Sequence, residues 1–233
     1  MNTDMDGHNK VTLGLFPRNV PHVLEKIFFY LDYESYKKCL SVNSTWHELL
    51  TSDSYQKKAK AVFHEGIWKE EDKLWSAAKD GNVSEVKRLL THLVDVNCVR
   101  GKHIKSTPLI EAAVREHKIV IQMLLDKGAN PNKGNMFGLT PLHYAAGKKS
   151  VITVKLLLEG GAVPNQGDNM GRASLWYAVG NKDVIKVLLD AGADPNKRDR
   201  LGSTPLHRAT RYSNKNVIQL LLDAGADLYT ANN

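Results

Sequence analysis

Cysteine is nearly absent: Cys39 and Cys98 are the only two in 233 residues. Two thiols so placed suggest no disulfide framework and no metal knuckle, and a reducing cytosol or nucleus fits that usage best. Long apolar runs are missing as well. None approaches the ~18 residues of a membrane span, and residues 1–10 are polar and acidic, unlike a signal peptide. Catalytic signatures are also lacking: the chain has no Gly-x-Ser-x-Gly, no His-Glu-x-x-His, no paired Cys-x-x-Cys and no phosphate-cradling glycine loop. No enzymatic activity, no cofactor and no metal are therefore expected. Aromatic residues amount to 7%, beside 42% apolar and 24% charged, a balance that suits a soluble, folded chain.

What the chain has is repetition. Thr140-Pro-Leu-His-Tyr-Ala-Ala opens a unit in which Thr140 caps a helix that Pro141 starts, since proline lacks the N–H that a first helical position leaves unpaired. Leu142, Ala145 and Ala146 form a narrow apolar stripe with small residues that let a neighbouring helix come close. A second apolar helix follows and ends at Gly160-Gly161, where a left-handed turn costs little. The phrase recurs as Thr107-Pro108-Leu109, as Ala173-Ser174-Leu175 and as Thr204-Pro205-Leu206-His207, at intervals of 33, 33 and 31 residues. Double leucines follow at 124–125, 157–158, 188–189 and 221–222, then Gly-Ala at 128, 161, 192 and 225. An earlier unit, Leu74-Trp75-Ser76-Ala77-Ala78 through Val96-Asn97, lacks the Thr-Pro opening, as an end cap would.

In period and in its Thr-Pro-Leu-His-x-Ala phrase, this half resembles the ankyrin repeat. The resemblance implies a stack of helix pairs with projecting hairpins at 97–107, 132–140, 165–173 and 196–204. It implies that His143 and His207 make hydrogen bonds between adjacent repeats, and that Asp126, Asp190 and Asp223 recur for architecture. The fourth repeat is two residues short after Ala178 and lacks the proline start, so its inner helix should end early. The last unit stops without an obvious polar cap, so its final helix should fray.

Before the repeats, Val23, Leu24, Ile27, Phe28 and Leu31 share one helical face, residues 32–35 turn the chain, and helical runs follow from Tyr36 and from Asn43. Read from the residues alone, this is either a small helical cap or a segment too short to bury its own apolar side chains, which would leave a docking surface. Pro21, Val23-Leu24-Glu25-Lys26-Ile27-Phe28, Tyr30-Leu31, Tyr36, Cys39, Leu40, Val42, Trp46 and Leu49-Leu50 resemble the F-box. Two departures stand out: the proline lies one residue closer to Val23-Leu24 than usual, and Asn43 occupies a position where cysteine is common. The resemblance implies docking on the adaptor protein of a cullin-based ubiquitin ligase through Pro21, Leu24, Ile27, Leu31, Leu40 and Trp46. The expected organisation is all-α with short β-hairpin loops: a disordered tail over 1–12, a three-helix F-box-like domain over 13–53, a helical linker over 54–71, and an ankyrin solenoid of about five repeats over 72–233.

Net charge is +7, and it is uneven: residues 1–71 hold 9 Lys and Arg against 10 Asp and Glu, whereas residues 72–233 hold 23 against 15. Either the excess is a solvated surface or it attracts an acidic partner. The non-repeating residues at hairpin and inner-helix positions are Met136, Phe137, Tyr144, Lys148, Met170, Arg172, Trp176, Tyr177, Arg198, Arg200, Arg208, Arg211 and Tyr212. They either fill gaps between repeats or contact a target protein. Tyr, Trp, Met and Arg concentrate energy in protein interfaces, which favours contact for the group. The reading for the whole chain is a ligase substrate-recognition adaptor, with a stand-alone ankyrin scaffold or inhibitor as its alternative. Nucleic acid and membrane are not expected partners.

Overall fold

The computed structural model describes residues 70–91, 94–101, 104–212 and 214–228. The chain divides between Glu70 and Glu71 into two units, and the helices below belong to the second. The tail, the F-box-like segment with Pro21, Leu24, Ile27, Leu31, Leu40 and Trp46, and almost all of the linker fall outside the described residues.

Residues 71–80 are helical. After them come α1 (Val83–Leu89), α2 (Pro108–Val114), α3 (Lys118–Asp126), α4 (Pro141–Lys148), α5 (Val151–Glu159), α6 (Ser174–Ala178), α7 (Lys182–Asp190), α8 (Pro205–Arg211) and α9 (Lys215–Asp223). The inner helices α2, α4, α6 and α8 touch in series, as do the outer helices α1, α3, α5, α7 and α9. Among the described residues no helix is long and apolar enough to cross a membrane.

Local sequence explains where each inner helix begins. Thr107, Thr140 and Thr204 hold extended backbone angles and each precedes a proline at the first helical position. The Thr107 hydroxyl accepts from the Ile110 N–H at 3.2 Å. In α4 and α8 a histidine reaches back: the N–H of Thr140 donates to Nδ1 of His143 at 3.0 Å, and that of Thr204 to Nδ1 of His207 at 3.2 Å. These reciprocal caps satisfy donors that a helix start would otherwise leave unpaired. In α6, Ala173 has no side chain to offer and Ser174 spends its hydroxyl on the carbonyl of Pro164 at 2.7 Å. That helix lasts five residues, against eight in α4.

The core is one continuous strip. Leu109, Leu142 and Leu175 are buried beside the alanines at 112, 113, 145, 146, 178 and 209, while Leu124, Leu157, Leu188 and Leu221 line the outer helices. Alanines allow inner helices to approach closely, and the leucines fill the space between layers.

Two hydrogen-bond ladders join the repeats. In one, an asparagine at each outer turn clasps the next turn. Asn132 donates to the carbonyl of Gly161 at 2.9 Å and accepts from the N–H of Val163 at 2.8 Å. Asn165 does the same with Gly192 and Asp194, and Asn196 with Gly225 and Asp227. This clasp holds the end of the last repeat. Although the last unit has no obvious polar cap, α9 runs nine residues, as α3, α5 and α7 do. The outer helix of the third repeat ends at Glu159, as its glycine pair suggests: Gly160 caps it, Gly161 turns left-handed at φ +88°, and Ala162 N–H returns to the carbonyl of Leu157 at 2.9 Å.

The second ladder runs along the loop tips. Asn135, Asp168 and Asp199 each accept, through Oδ1, the N–H groups two and four residues ahead, at 2.8–3.1 Å. Successive tips are then tied by backbone: Met136 N–H to Ile104 O, Asn169 N–H to Phe137 O, and Arg200 N–H to Met170 O, at 3.1, 3.0 and 2.8 Å. Gly138, φ +73°, lies so close to the next tip that an added Cβ would sit 2.8 Å from the backbone nitrogen of Asn169. A single backbone bond also closes each of these three loops, such as Asn135 N–H to Leu139 O at 3.0 Å, which is too few for a ladder, so the connections are not the β-hairpins expected. Among the described residues there is no strand, only the antiparallel bridge between Arg100 and Ser106.

Candidate functional site

The residues that break the repeat pattern gather where the third loop meets α6 and α8. Asp168 is the anchor. Although buried at 7% exposure, its carboxylate accepts four hydrogen bonds. Oδ1 takes the N–H groups of Met170 and Arg172 at 2.8 and 3.0 Å, and Oδ2 takes the Arg172 guanidinium and the Tyr177 hydroxyl. Arg172 approaches through both Nε, at 2.8 Å, and Nη2, at 2.6 Å. Burial pushes the Asp168 carboxyl upward, but the hydrogen bonds from Arg172, Tyr177 and the backbone outweigh it and hold the group below its ordinary range. The Tyr177 phenol moves up, first through burial and then through the carboxylate beside it.

His143 supports this corner from the preceding repeat. Its Nδ1 accepts from Thr140, so the proton sits on Nε2, which donates to the carbonyl of Arg172 at 3.0 Å. The imidazole also meets the Tyr177 ring edge-on at 5.4 Å. Burial depresses the His143 pKa and favours the neutral ring.

Over this frame lies Trp176, half-buried, with its ring 5.0 Å from that of Tyr177. Two guanidiniums lie over the indole: that of Arg208 with Cζ 3.3 Å from the centroid, and that of Arg172 at 4.6 Å. Arg208 also stands 5.2 Å from the ring of Tyr212. Its Nε is buried without a hydrogen-bond partner among the described residues. Burial lowers the Arg208 pKa, and the charges of Arg172 and Arg211 add to the effect. A guanidinium nonetheless stays protonated in proteins, so the site holds a partly desolvated cation.

Of the thirteen candidates, Arg172, Trp176, Tyr177, Arg208 and Tyr212 thus form one contiguous group. Met136, Phe137 and Met170 lie exposed along the tips. Tyr144 is half-buried and tied to Asn135, whose amide donates to its hydroxyl at 2.9 Å. Lys148, Arg198, Arg200 and Arg211 are exposed, and Lys148 stands apart at the end of α4. Two kinds of residue escaped the sequence reading. Asp168 resembles any loop acid, although its place two residues before Met170 and four before Arg172 suits it to close the turn. Ile104 and Leu201 extend the tip row of Phe137 and Met170, and register alone could have found them, because the four recur at the repeat interval. No group of three His, Cys, Asp or Glu among the described residues could hold a metal ion.

Helix pairs stacked in register, loops projecting to one side and aromatic and arginine side chains between them define a helical-repeat protein of the protein-binding class. The comparisons name the family. Ankyrin repeat models match residues 47–135, 131–199 and 201–233, and the chain belongs to the ankyrin-repeat family. The match begins at residue 47, ahead of the first unit visible as a repeat in the sequence. No F-box model matches. Among curated proteins, the chain is 35% identical over 142 residues to a mitochondrial disaggregase of Bos taurus, covering 58% of this chain and 20% of that protein. It is 43% identical over 65 residues to a mitochondrial disaggregase of Homo sapiens, covering 28% of this chain and 9% of that one. The chain therefore spans a fifth or less of the length of these relatives.

Proposed function

We propose that this chain is the substrate-recognition adaptor of a cullin–RING ubiquitin ligase of the SCF type, working in the cytosol or nucleus. The F-box-like segment docks on the ligase adaptor, which bridges to the cullin, and the ankyrin groove holds a protein target. The chain contributes no bond-making chemistry. It raises the effective concentration of a target lysine beside the charged conjugating enzyme, turning an encounter between molecules into a nearly intramolecular step. The observation that carries this reading is the pairing of two segments in one sequence. The repeats form a protein-binding surface, and ahead of them Pro21, Leu24, Ile27, Leu31, Leu40 and Trp46 resemble the F-box, with Ile27 and Trp46 at the spacing that family uses.

A second reading is a non-ligase ankyrin scaffold. The relatives favour it to the extent that their printed name is a disaggregase rather than a ligase subunit. Co-precipitation with the ligase adaptor separates the two. Wild-type chain should recover the adaptor, and Leu24→Ala combined with Trp46→Ala should lose it while the helical circular dichroism of the repeats persists. Retention of adaptor by the double variant, or no recovery by wild type, would leave the scaffold reading in its place.

A further inference from the structure

The arginines divide the described structure in two. Arg88 pairs with Glu85, Arg100 with Glu71 and Asp72, Arg115 with Glu111, and Arg172 with Asp168. Arg198, Arg200, Arg208 and Arg211 have no ion-pair partner among the described residues. All four lie between residues 196 and 212, where five Lys and Arg face a single acid, Asp199. An excess of scattered surface lysines would be unremarkable. Consistent pairing followed by none is a segregation of charge.

Arg208 is the informative member. By repeat register it stands where Tyr144 and Tyr177 stand, and Asp199 stands where Asn135 and Asp168 do. In both earlier repeats these two positions bond: the Asn135 amide to the Tyr144 hydroxyl at 2.9 Å, and the Tyr177 hydroxyl to Asp168 at 2.5 Å. In the last repeat the pair carries opposite charges and yet makes no bond. Asp199 closes its own loop through Oδ1, and Arg208 lies over Trp176 with its Cζ 3.3 Å from the ring centroid. That contact holds the guanidinium over the ring, and its buried Nε has no hydrogen-bond partner among the described residues. A planar fork held rigid, partly desolvated and unneutralised matches a carboxylate in geometry and charge.

Apolar surface adjoins it. The loop that ends at Arg172 carries Met170 at its tip, and Phe137, Met170 and Leu201 are 50%, 43% and 64% exposed on tips linked by backbone hydrogen bonds. A polyphosphate backbone would have no use for this row. The Trp176 face that a nucleobase would stack on is already occupied by the Arg208 guanidinium at 3.3 Å.

We propose that the last two repeats are a receptor for an acidic amphipathic segment of a partner protein, with a carboxylate of that segment seated on Arg208 and its apolar side chains on the tip row. This rests on the reading of the repeats as the surface that holds the target. Arg172 does not meet the ligand's carboxylates. Neutralised by Asp168, it is a positioning residue for Trp176, its Cζ 4.6 Å from the ring centroid. Arg198, Arg200 and Arg211 supply attraction at longer range, which salt screens.

The test uses the full chain and three fluorescein-labelled probes read by anisotropy: a peptide built of Glu and Leu, the same peptide with Gln for every Glu, and an oligothymidylate. At about 50 mM salt the Glu peptide should bind about tenfold or more tighter than the Gln peptide, and tighter than the oligothymidylate. Arg208→Gln should weaken the Glu peptide about tenfold. Arg208→Lys should weaken it by a smaller factor, because charge survives but the fork does not. Arg200→Gln should weaken it about threefold at low salt, an effect that fades toward about 500 mM, and Arg115→Gln should leave it unchanged. Arg208→Gln with wild-type melting and wild-type affinity overturns the proposal, as does equal binding of the two peptides or of the oligothymidylate. If Arg208→Gln lowers the melting temperature, Arg208→Lys and Arg200→Gln decide alone: wild-type affinity in both overturns it. A chain that fails here yet recovers the ligase adaptor loses this proposal and keeps the proposed function. One that binds the Glu peptide through Arg208 but recovers no adaptor does the reverse.

Discussion

Removing the carboxylate of Asp168 should destabilise the repeats far more than an ordinary loop substitution. Asp168→Ala deletes four hydrogen bonds: two to backbone N–H groups, one to the Tyr177 hydroxyl and the Arg172 pair. Neutral bonds contribute about 1 kcal/mol each and charge-assisted ones somewhat more, but Arg172 keeps partial access to water, which reduces the cost of losing its partner. The expected loss is about 3 kcal/mol. Asp168→Asn keeps an acceptor for the backbone and can donate its NH₂ to the Tyr177 hydroxyl, as Asn135 does to Tyr144, but it turns that NH₂ toward the Arg172 guanidinium, which can only donate, for a loss of about 2 kcal/mol. In a unit spanning Glu71–Asn233, each kcal/mol lowers Tm by roughly 2–4 °C. Circular dichroism melts should therefore fall by about 6–12 °C for the alanine variant and about 4–8 °C for the asparagine variant. Amide exchange should accelerate at Met170 and Arg172 in the alanine variant first. Tyr177→Phe, which removes only the hydroxyl, should cost about 1 kcal/mol and should not add in full to Asp168→Ala, since both delete the same bond. An asparagine variant that melts with wild type, or full additivity in the double variant, would refute the anchoring role.

Two further outcomes follow from the ladders. Burial depresses the His143 pKa, so the unfolded chain takes up a proton near pH 6.5 where the native one does not. The stabilisation is complete above that pH and is lost as pH falls through the lower native value. In urea titrations from about pH 7 to pH 5, wild type should lose stability faster than His143→Gln, and parallel slopes would contradict the buried neutral ring. Asn165→Ala breaks the clasp to Gly192 and Asp194, at 2.9 and 2.7 Å, and should cost about 1–2 kcal/mol with faster exchange of the Asp194 amide. An unchanged urea midpoint would show that the clasp is decorative.

Much of the fold was legible because its causes are short in sequence. Thr140, Pro141 and His143 cap a helix within three residues, the leucine and alanine stripes follow helical spacing, and Gly161 stops its helix locally. The shortened α6 was legible too, from the two residues missing between Ala178 and Val184, and it ends at Ala178. Thirteen candidate contacts were also named from type and position, five of which lie together. What could not be read was which of them are already engaged. Arg172 and Arg208 look alike as letters, yet one is neutralised by Asp168 and the other lies unpaired on Trp176.

By itself the sequence determined the period, the helix ends, the buried stripes and an excess of positive charge in the repeat half, all properties of residues at most a few turns apart. Only the tertiary structure decided how that charge is spent. His143 bonds the carbonyl of Arg172, 29 residues on, and Arg208 stacks on Trp176 from the next repeat. Those contacts exist because stacking brings side chains one repeat apart to within bonding distance. Whether a cation meets its carboxylate or an aromatic ring there depends on ångström-scale placement that repeat register does not encode.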